Sequence, residues 1–500
     1  MADSPDAGQK FSMAEIDLRT LSDGFLGYCF ANLSPRDRVK AFAGSPRTVW
    51  LFGAGASHHY DLNPHSVPVP LANGFFEAFH SLPTSAGLHA FIGPLTSYLA
   101  QYRGIPAERV SEWKENIEGF MTSVESRLDR LRAKRKAKEK LSKAEMGEFF
   151  SLATVFTNMN FIFASVVNEA QNGPSESAYR YLLDFCGPED GFITFNWDTL
   201  LDRALADSGG WSPNEGYGMR FRAALDSSWK DSVEGATQFQ TNWKLLKLHG
   251  STNWIVPYTH INFKTMKYVS LVPKSSRIFL YWQSLLPYDT YQSRWRGGYA
   301  PTCYCFYPPN LPSKYFAGGE LSAPPGKVIF SARHTGIFAP FKEPYLPGVP
   351  ASPLLITPVR QKKYDMYKGA VDGLWNQAGQ MLDGADKIVI IGYSFPPTDT
   401  RAFKLLASAL NKRPSKVSVD IVAPDAESVF DRIQDACLSK ARRVSVYEMK
   451  FEHYLMALSK SAPNRIRAAA LRHKEIREWI QRLYILNEIA AAKSAGRDVT

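Results

Sequence analysis

The chain has 500 residues, 45% of them hydrophobic, and carries a formal net charge of +11 at pH 7. This length and apolar content allow a large buried core, so we expect one large α/β domain with insertions, or two domains. No stretch of about 18 uninterrupted apolar residues occurs, which excludes a membrane-spanning helix, and the positive charge favours anionic partners such as nucleotides, nucleic acid or an acidic protein.

The first residues, MADSPDAGQKFSMAEIDL (1–18), are polar and acidic. They lack the apolar core of a signal peptide, so we expect a cytoplasmic protein. Residues 1–45 as a whole are predicted to form a short helical extension.

A strand predicted over residues 48–52 runs into the glycine-rich loop Gly53-Ala54-Gly55-Ala56-Ser57. Glycines at a strand-to-helix turn allow backbone N–H groups to approach a pyrophosphate. The full dinucleotide fingerprint is not met, because its third glycine or alanine would fall at His58. The loop alone therefore fits either a phosphate site or a plain turn.

Residues 75–185 have a mostly helical pattern, which is clearest in the proline-free segment 149–170. The stretch RLDRLRAKRKAKEKLSKAE (127–145) carries much of the positive charge. It fits a contact with a phosphate backbone, or a long solvated helix whose leucines face the protein.

Two further predicted strands end in polar residues. GFITFNWDTLLDRAL (191–205) predicts a strand that ends at Asn196-Trp197-Asp198 and turns into a helix. Asn196 and Asp198 could hold a ribose or position a water, although an aspartate here could also cap the helix. NWKLLKLHGSTNW (242–254) predicts a short strand ending at His249, either a general base near neutral pH or a structural histidine.

Residues 255–350 are rich in proline, tyrosine and tryptophan and predict an irregular insertion with a few strands. The chain's five cysteines are scattered, at Cys29, Cys186, Cys303, Cys305 and Cys437. An odd, sparse set argues against a disulfide framework, and the lack of a CxxC pair argues against a zinc site. We therefore expect no metal.

After this insertion PLLITPV (353–359) predicts a strand, and KIVIIGYSF (387–395) predicts a buried one. A helix over 399–411 separates the latter from VSVDIVAPD (417–425), and ARRVSVYEM (441–449) predicts a last strand. Gly392 and Ser394, at the end of the 387–395 strand, suit a ribose or a phosphate.

Strands that alternate with helices predict an α/β fold with a doubly wound, mostly parallel, Rossmann-like sheet. It would carry a helical insertion at about 75–185 and the irregular one at about 255–350, followed by a basic amphipathic helical tail over 456–500. Ligands bind such sheets outside the carboxyl ends of the strands. The segments GAGAS, NWD, HGS and GYS all lie at such ends.

The order of these four segments is more specific than any one of them. FITFNWDTLLDRAL, LLKLHGSTNW and IVIIGYSFPPTD resemble the "TxNxD", "LHG" and "GxS" segments of the SIR2 (sirtuin) family. With GAGAS before them, the chain resembles the bacterial SIR2-like branch of that family over roughly residues 46–455.

The resemblance implies a SIR2-like NAD-binding domain with NAD as substrate. The five residues from Gly53 to Ser57 would cradle the diphosphate of NAD. Gly392 and Ser394 would hold the adenosine side, and residues 423–425 would lie near the adenine.

The resemblance also implies the catalytic residues. Asn196 and Asp198 would line the nicotinamide-ribose pocket, and His249 would be the base near the ribose hydroxyls. Cleavage of the nicotinamide–ribose bond gives an oxocarbenium-like sugar that must be oriented and shielded. Neutral Asn196 can place a water there without adding charge, and His249 can take a proton.

Three features depart from deacylating sirtuins. The chain lacks their paired-cysteine zinc module, and HHYDLNPHSVPVPLANGFF (58–76) replaces their GIPDFR-like stretch. The 255–350 insertion replaces much of their peptide-binding region. These departures argue against protein deacylation and favour NAD hydrolysis. Zinc-less bacterial members of the family are typically NAD-depleting effectors of anti-phage defence.

Such effectors are held inactive until triggered, often as homo-oligomers or with a HerA-type ATPase or a short Argonaute. The resemblance therefore implies such partners, and the basic helix at 127–143 is a candidate nucleic-acid contact. Three alternatives stay open: a non-catalytic module that senses NAD or an ADP-ribose derivative, an ADP-ribosyl transferase, and a DNA-binding subunit.

Overall fold

A computed structural model describes residues 17–495 with gaps. The short gaps are residues 19, 43, 64, 83–88, 172, 174–176, 222–223 and 227. The longer ones are 231–240, 258–277, 282–303, 307–327, 331–348, 360–361 and 363–367.

The centre of the fold is a six-stranded sheet in which every neighbouring pair is parallel. Its order is β3-β2-β1-β4-β5-β6, which is the strand order of the dinucleotide-binding Rossmann fold. The predicted doubly wound, mostly parallel sheet is confirmed. The strands are β1 Thr48–Phe52, β2 Gly191–Thr194, β3 Leu245–Lys247, β4 Lys387–Ile391, β5 Ser418–Ala423 and β6 Arg443–Glu448.

The burial of these strands explains their sequence. Every residue of β2 and β3 is buried, and in β1 and β4 only the first residue is not. A parallel sheet covered on both faces requires such continuous apolar runs. β6 lies at the edge and is only half-buried, which its mixed sequence RVSVYE reflects.

Helices flank this sheet, and the predicted 399–411 helix is present as Thr400–Lys412. Ala402, Leu406, Ala409 and Leu410 form its buried stripe, at the spacing of an amphipathic helix. The others are Ser177–Leu183, Leu200–Asp207, Pro213–Gly216, Lys368–Asp383, Ala426–Cys437 and Phe451–Ser459.

The predicted helical stretch between β1 and β2 also forms helices. They are Phe75–Ser81, His89–Arg103, Ile117–Lys136 and Lys143–Ala170. Leu128 and Leu131 of the basic segment are fully buried, so its leucines face the protein. Several of its cations are paired: Arg127 Nη2 lies 2.6 Å from Glu148 Oε2, Arg132 Nη1 lies 3.0 Å from Asp129 Oδ1, and Lys134 Nζ lies 2.7 Å from Glu145 Oε1.

A second sheet of seven strands is mostly antiparallel. The prediction that PLLITPV (353–359) continues as a strand is wrong for its second half. The strand is Val349–Leu355, and it pairs antiparallel with Gly250–Pro257 in this second sheet. The remaining strands are Ala224–Asp226, Ser228–Lys230, Phe279–Tyr281, Tyr304–Phe306 and Val328–Phe330.

The two ends of the described chain pack together. Helices Asp23–Asn32 and Pro35–Ala41 contact helix Ala462–Arg472, which in turn packs against Lys474–Ser494. Their shared apolar cluster includes Leu26, Phe30, Ile466, Ile476 and Ile480, each at most 5% exposed. Among the helices of the described residues, none is long and apolar enough to cross a membrane.

Candidate functional site

Strands β1 and β4 are neighbours at the point where the strand order reverses, and the loops that follow them touch. Gly53 N–H donates to the carbonyl of Ile391 (3.0 Å), and Gly55 N–H donates to the carbonyl of Gly392 (2.9 Å). A Cβ on Gly53 would lie 2.5 Å from Tyr393 Cα, and one on Gly392 would lie 2.3 Å from the Ala56 nitrogen. The contact between these loops therefore requires glycines whether or not a ligand binds.

The strand-to-helix turn expected after β1 is not formed. In the part of this stretch that the structure describes, one 3₁₀ turn, Ala54–Ala56, follows the strand, and the next α-helix begins at Phe75. The intervening sequence includes HSVPVP (65–70), whose prolines lack the backbone N–H that a helix needs. A long helix therefore does not point its N-terminus from this loop toward a ligand.

Gly392 has a φ of +60°, the left-handed region that side chains disfavour. We expect Gly392→Ala to lower the free energy of unfolding by about 1–3 kcal/mol, because it adds both backbone strain and a clash with Ala56. Denaturant unfolding measures this. Gly373→Ala is the matched control, since a Cβ there meets nothing within 4 Å. Equal stability of the two variants would contradict the prediction.

A cavity of about 880 Å³ opens at the carboxyl edge of the parallel sheet. All four predicted strand-end segments contribute to its wall. Of the predicted site residues, the wall contains Ala54, Gly55, Asn196, Asp198, His249, Gly392 and Ser394, together with residues 423–425. Gly53, Ala56 and Ser57 are not among the lining residues, and Ser57 is fully buried behind the wall.

Asn196 is held by its amide nitrogen. Nδ2 donates to the carbonyl of Gly53 (3.0 Å) and to Ser57 Oγ (3.1 Å), and Ser57 Oγ also shares a hydrogen bond with the Tyr179 hydroxyl (2.9 Å). Both amide hydrogens are thus engaged by the protein. The group that Asn196 can offer to a ligand is its carbonyl oxygen Oδ1.

Asp198 is 5% exposed and has a structural contact as well. Its Oδ1 accepts the N–H of Leu200 (3.1 Å), the first residue of helix Leu200–Asp207, so it does contribute to the start of that helix. Burial raises the pKa of Asp198, and the nearby Lys247 partly opposes this shift.

Lys247 is completely buried below Asp198. Its Nζ lies 3.0 Å from Asp202 Oδ2 and also contacts the backbone carbonyl of Asp198. Asp202 is 1% exposed and accepts the Tyr217 hydroxyl. This buried pair connects β3 to the segment after β2 and supports the floor of the site.

His249 lies beside a carboxylate that the sequence analysis did not identify. Its Nε2 is 2.9 Å from Asp399 Oδ2. The same oxygen accepts Lys362 Nζ (2.9 Å) and the Tyr393 hydroxyl (2.7 Å). The side chains of His249, Asp399 and Lys362 are 9%, 0% and 5% exposed, so the cluster is largely shielded from water.

Burial and neighbouring charges shift the pKa values of both His249 and Asp399. Burial lowers the pKa of His249 and Lys362 lowers it further, whereas Asp399 opposes them, and the net shift is downward. Burial alone would raise the pKa of Asp399, but His249 and Lys362 together hold it well below its usual range. The lowered pKa favours the neutral imidazole, which can accept a proton, next to the Asp399–Lys362 salt bridge.

Aromatic rings fix the imidazole from the other side. The Phe195 ring lies 5.0 Å from the His249 ring and stacks on Tyr393 at 4.1 Å, with an interplanar angle of 10°. His249 also makes a hydrogen bond to the backbone of Phe195. The histidine is thus positioned by β2 and by the loop after β4.

Asp399 could have been identified from the sequence, because it is the last residue of the IVIIGYSFPPTD segment (388–399). Lys362 could not, because QKK (361–363) belongs to no motif. Among the described residues, no group of three or more His, Cys, Asp or Glu side chains could hold a metal ion. Cys303 lies outside the described residues, as does the side chain of Cys305.

No protein-family model and no curated protein matches this sequence. The solved structures similar to it include one from a study of the mechanism and regulation of Sir2 enzymes, at 11% identity, 87% coverage of this chain, 99% of that chain and a TM-score of 0.31. A Sir2 homologue mutant in complex with ADP-ribose matches at 14% identity, 85% and 95% coverage and a TM-score of 0.31. A Sir2 homologue–NAD complex matches at 13% identity, 86% and 93% coverage and a TM-score of 0.30.

Proposed function

We propose that this chain is a SIR2-like NAD⁺ hydrolase that cleaves the nicotinamide–ribose bond and releases nicotinamide and ADP-ribose. The observation that carries the proposal is the single cavity that Asn196, Asp198 and His249 line together with the loops after β1 and β4. The volume of the cavity, about 880 Å³, suits a dinucleotide-sized ligand.

The proposed reaction needs one water molecule. As nicotinamide leaves, positive charge develops on the ribose, and the water oxygen forms the new bond to the anomeric carbon. Asn196 Oδ1 accepts a hydrogen bond from this water and orients it without bringing charge. The neutral imidazole of His249 carries one N–H, which donates to the Phe195 backbone. Its other nitrogen takes up the proton released from the ribose hydroxyls or the water, so that NAD⁺ and water become ADP-ribose, nicotinamide and a proton.

The remaining wall residues suit the rest of the dinucleotide. The backbone at Ala54 and Gly55 comes close to the cavity because these residues have little or no side chain, which suits the diphosphate. Gly392, Ser394 and residues 423–425 are assigned to the adenosine side. Asp198, with its raised pKa, faces the nicotinamide-ribose side.

We assign hydrolysis rather than deacylation on the three sequence departures given above. The proposed cellular role, a regulated NAD-depleting effector of anti-phage defence, rests on the family resemblance. The same holds for a homo-oligomer and for a HerA-type ATPase or short Argonaute as partner. Nucleic-acid contact through 127–143 also stays a prediction, although paired cations and buried leucines already explain part of that segment's composition.

The direct test is nicotinamide release from NAD⁺ by the purified protein, with and without added DNA. His249→Ala is compared with the wild type, and Asn487→Ala, an exposed position on the last helix, is the control. Release that His249→Ala abolishes supports the hydrolase. NAD⁺ binding without release under either condition would instead favour the sensing module, and transfer of ADP-ribose to protein would favour the transferase.

We expect a chelator such as EDTA to leave nicotinamide release unchanged, because the proposed chemistry uses only an amide, an imidazole and water. The measurement compares initial rates before and after dialysis against the chelator. Loss of activity that zinc restores would contradict the prediction and would point to Cys303 and Cys305.

A further inference from the structure

We propose that Asp399 and Lys362 are positioning residues for His249, with Asp399 fixing the imidazole and Lys362 fixing Asp399. The inference rests on the proposed function, since it assigns a task to residues behind the proposed base. Neither residue was given a role in that function: Asp399 lies at the far end of the fourth segment, and Lys362 lies outside all four.

The geometry converges on one oxygen atom. Asp399 Oδ2 lies 2.9 Å from His249 Nε2, 2.9 Å from Lys362 Nζ and 2.7 Å from the Tyr393 hydroxyl. This buried carboxylate accepts hydrogen bonds from Lys362 and Tyr393, and its position is fixed because turning it away would leave a buried cation and a buried hydroxyl unpaired. His249 Nε2 lies against this fixed oxygen at 2.9 Å.

The charges require both residues. The groups that face His249 are Asp399 from the loop after β4, Lys362 from the segment after strand Val349–Leu355, and the backbone and ring of Phe195 from the end of β2. Asp399 without Lys362 would draw a proton onto His249 and convert the base to imidazolium. Lys362 without Asp399 would leave an unpaired cation next to the reacting sugar, which itself becomes positive.

Lys362 also connects two parts of the fold. It follows strand Val349–Leu355 of the second sheet, yet it lines the cavity at the edge of the parallel sheet. The segment that returns from the 255–350 insertion therefore delivers one member of the cluster. The position of Lys362 therefore bears on the charge and the placement of His249.

The test follows the titration of the His249 imidazole by NMR, with the signal assigned from a His249→Gln variant, alongside the pH profile of kcat/KM for nicotinamide release. In Lys362→Met the cation that lowers the pKa is gone, so the pKa of His249 rises and the acidic limb of the profile moves to higher pH. In Asp399→Asn the carboxylate that raises the pKa of His249 is gone, so this pKa falls and the acidic limb of the profile moves to lower pH. Each shift is expected to be on the order of 1 pH unit.

Controls separate positioning from loss of fold. Lys362→Arg keeps the cation, so the acidic limb of its pH profile should stay at the wild-type position. In the double variant Lys362→Met/Asp399→Asn the two opposite shifts should partly cancel, and the acidic limb should lie close to that position. We expect kcat at the optimum to fall up to about 10²-fold in Asp399→Asn even where His249 is neutral. Thermal unfolding identifies any variant that does not fold, and Tyr393→Phe then probes the same carboxylate by a milder change.

Shifts of opposite sign in the two single variants support the proposal. Folded variants with no shift, or with shifts of the same sign, would overturn it. The NMR titration needs no turnover, so it tests the positioning role even if the wild-type protein does not cleave NAD⁺. Absence of cleavage would refute the proposed function alone.

Discussion

Asn196→Ala is expected to lower the rate of nicotinamide release from NAD⁺ by about 10²–10⁴-fold, because it removes the neutral acceptor that we propose orients the attacking water. The amide group lies at the end of β2 with Nδ2 held by Gly53 and Ser57, so Oδ1 is its free functional atom. Steady-state assays of wild type and variant at saturating NAD⁺ measure the loss in kcat.

The variant also loses two hydrogen bonds, so its stability must be measured beside its activity. We expect a cost of about 1–3 kcal/mol in the free energy of unfolding. Tyr179→Phe is the matched control, since it removes the hydroxyl that bonds Ser57 Oγ in the same network without altering the cavity wall. It should lose stability but keep nicotinamide release within a few-fold of wild type.

Two outcomes would contradict this assignment. An Asn196→Ala protein with full turnover would mean that another group orients the water. Equal losses of activity in Asn196→Ala and Tyr179→Phe would mean that Asn196 acts only by holding the loop after β1. A selective loss in Asn196→Ala is the expected result.

Lys247→Met is expected to lower the free energy of unfolding by about 3–5 kcal/mol, because it leaves the buried carboxylate of Asp202 without its cation. Both side chains are at most 1% exposed, and Nζ and Oδ2 are 3.0 Å apart. Urea unfolding followed by circular dichroism gives the difference in stability.

The exposed neighbour Lys244 supplies the control. Lys244→Met should change stability by less than about 0.5 kcal/mol, as surface substitutions usually do. The double variant Lys247→Met/Asp202→Leu should recover part of the loss, since it removes both charges instead of one. If Lys247→Met were as stable as Lys244→Met, the pair would contribute little to the fold.

The sequence predicts the parallel sheet and part of the cavity wall, because both follow from local patterns. Buried strands such as β4 are apolar throughout, and the carboxyl ends of parallel strands share one edge. Once Asn196 and His249 were assigned to strand ends, their meeting at that edge followed from the fold class.

Features that depend on distant partners could not be predicted. PLLITPV has the composition of a strand, but composition does not tell which sheet it joins. Lys362 reaches the site from a segment with no motif, and it matters because of where the second sheet returns the chain. Position 392 must be glycine because the loop after β1, which is remote in sequence, leaves no room for a Cβ there.

The packing of helix Asp23–Asn32 onto helix Ala462–Arg472 makes the terminal segments mutually dependent. A protein trimmed of residues 1–45 would present the apolar side chains of Ile466 and Ile476 to solvent, and such a surface favours aggregation. Trimming the other terminus would uncover Leu26 and Phe30 in the same way. The two terminal segments therefore stabilise each other, and shortened versions of this protein should keep both segments or neither.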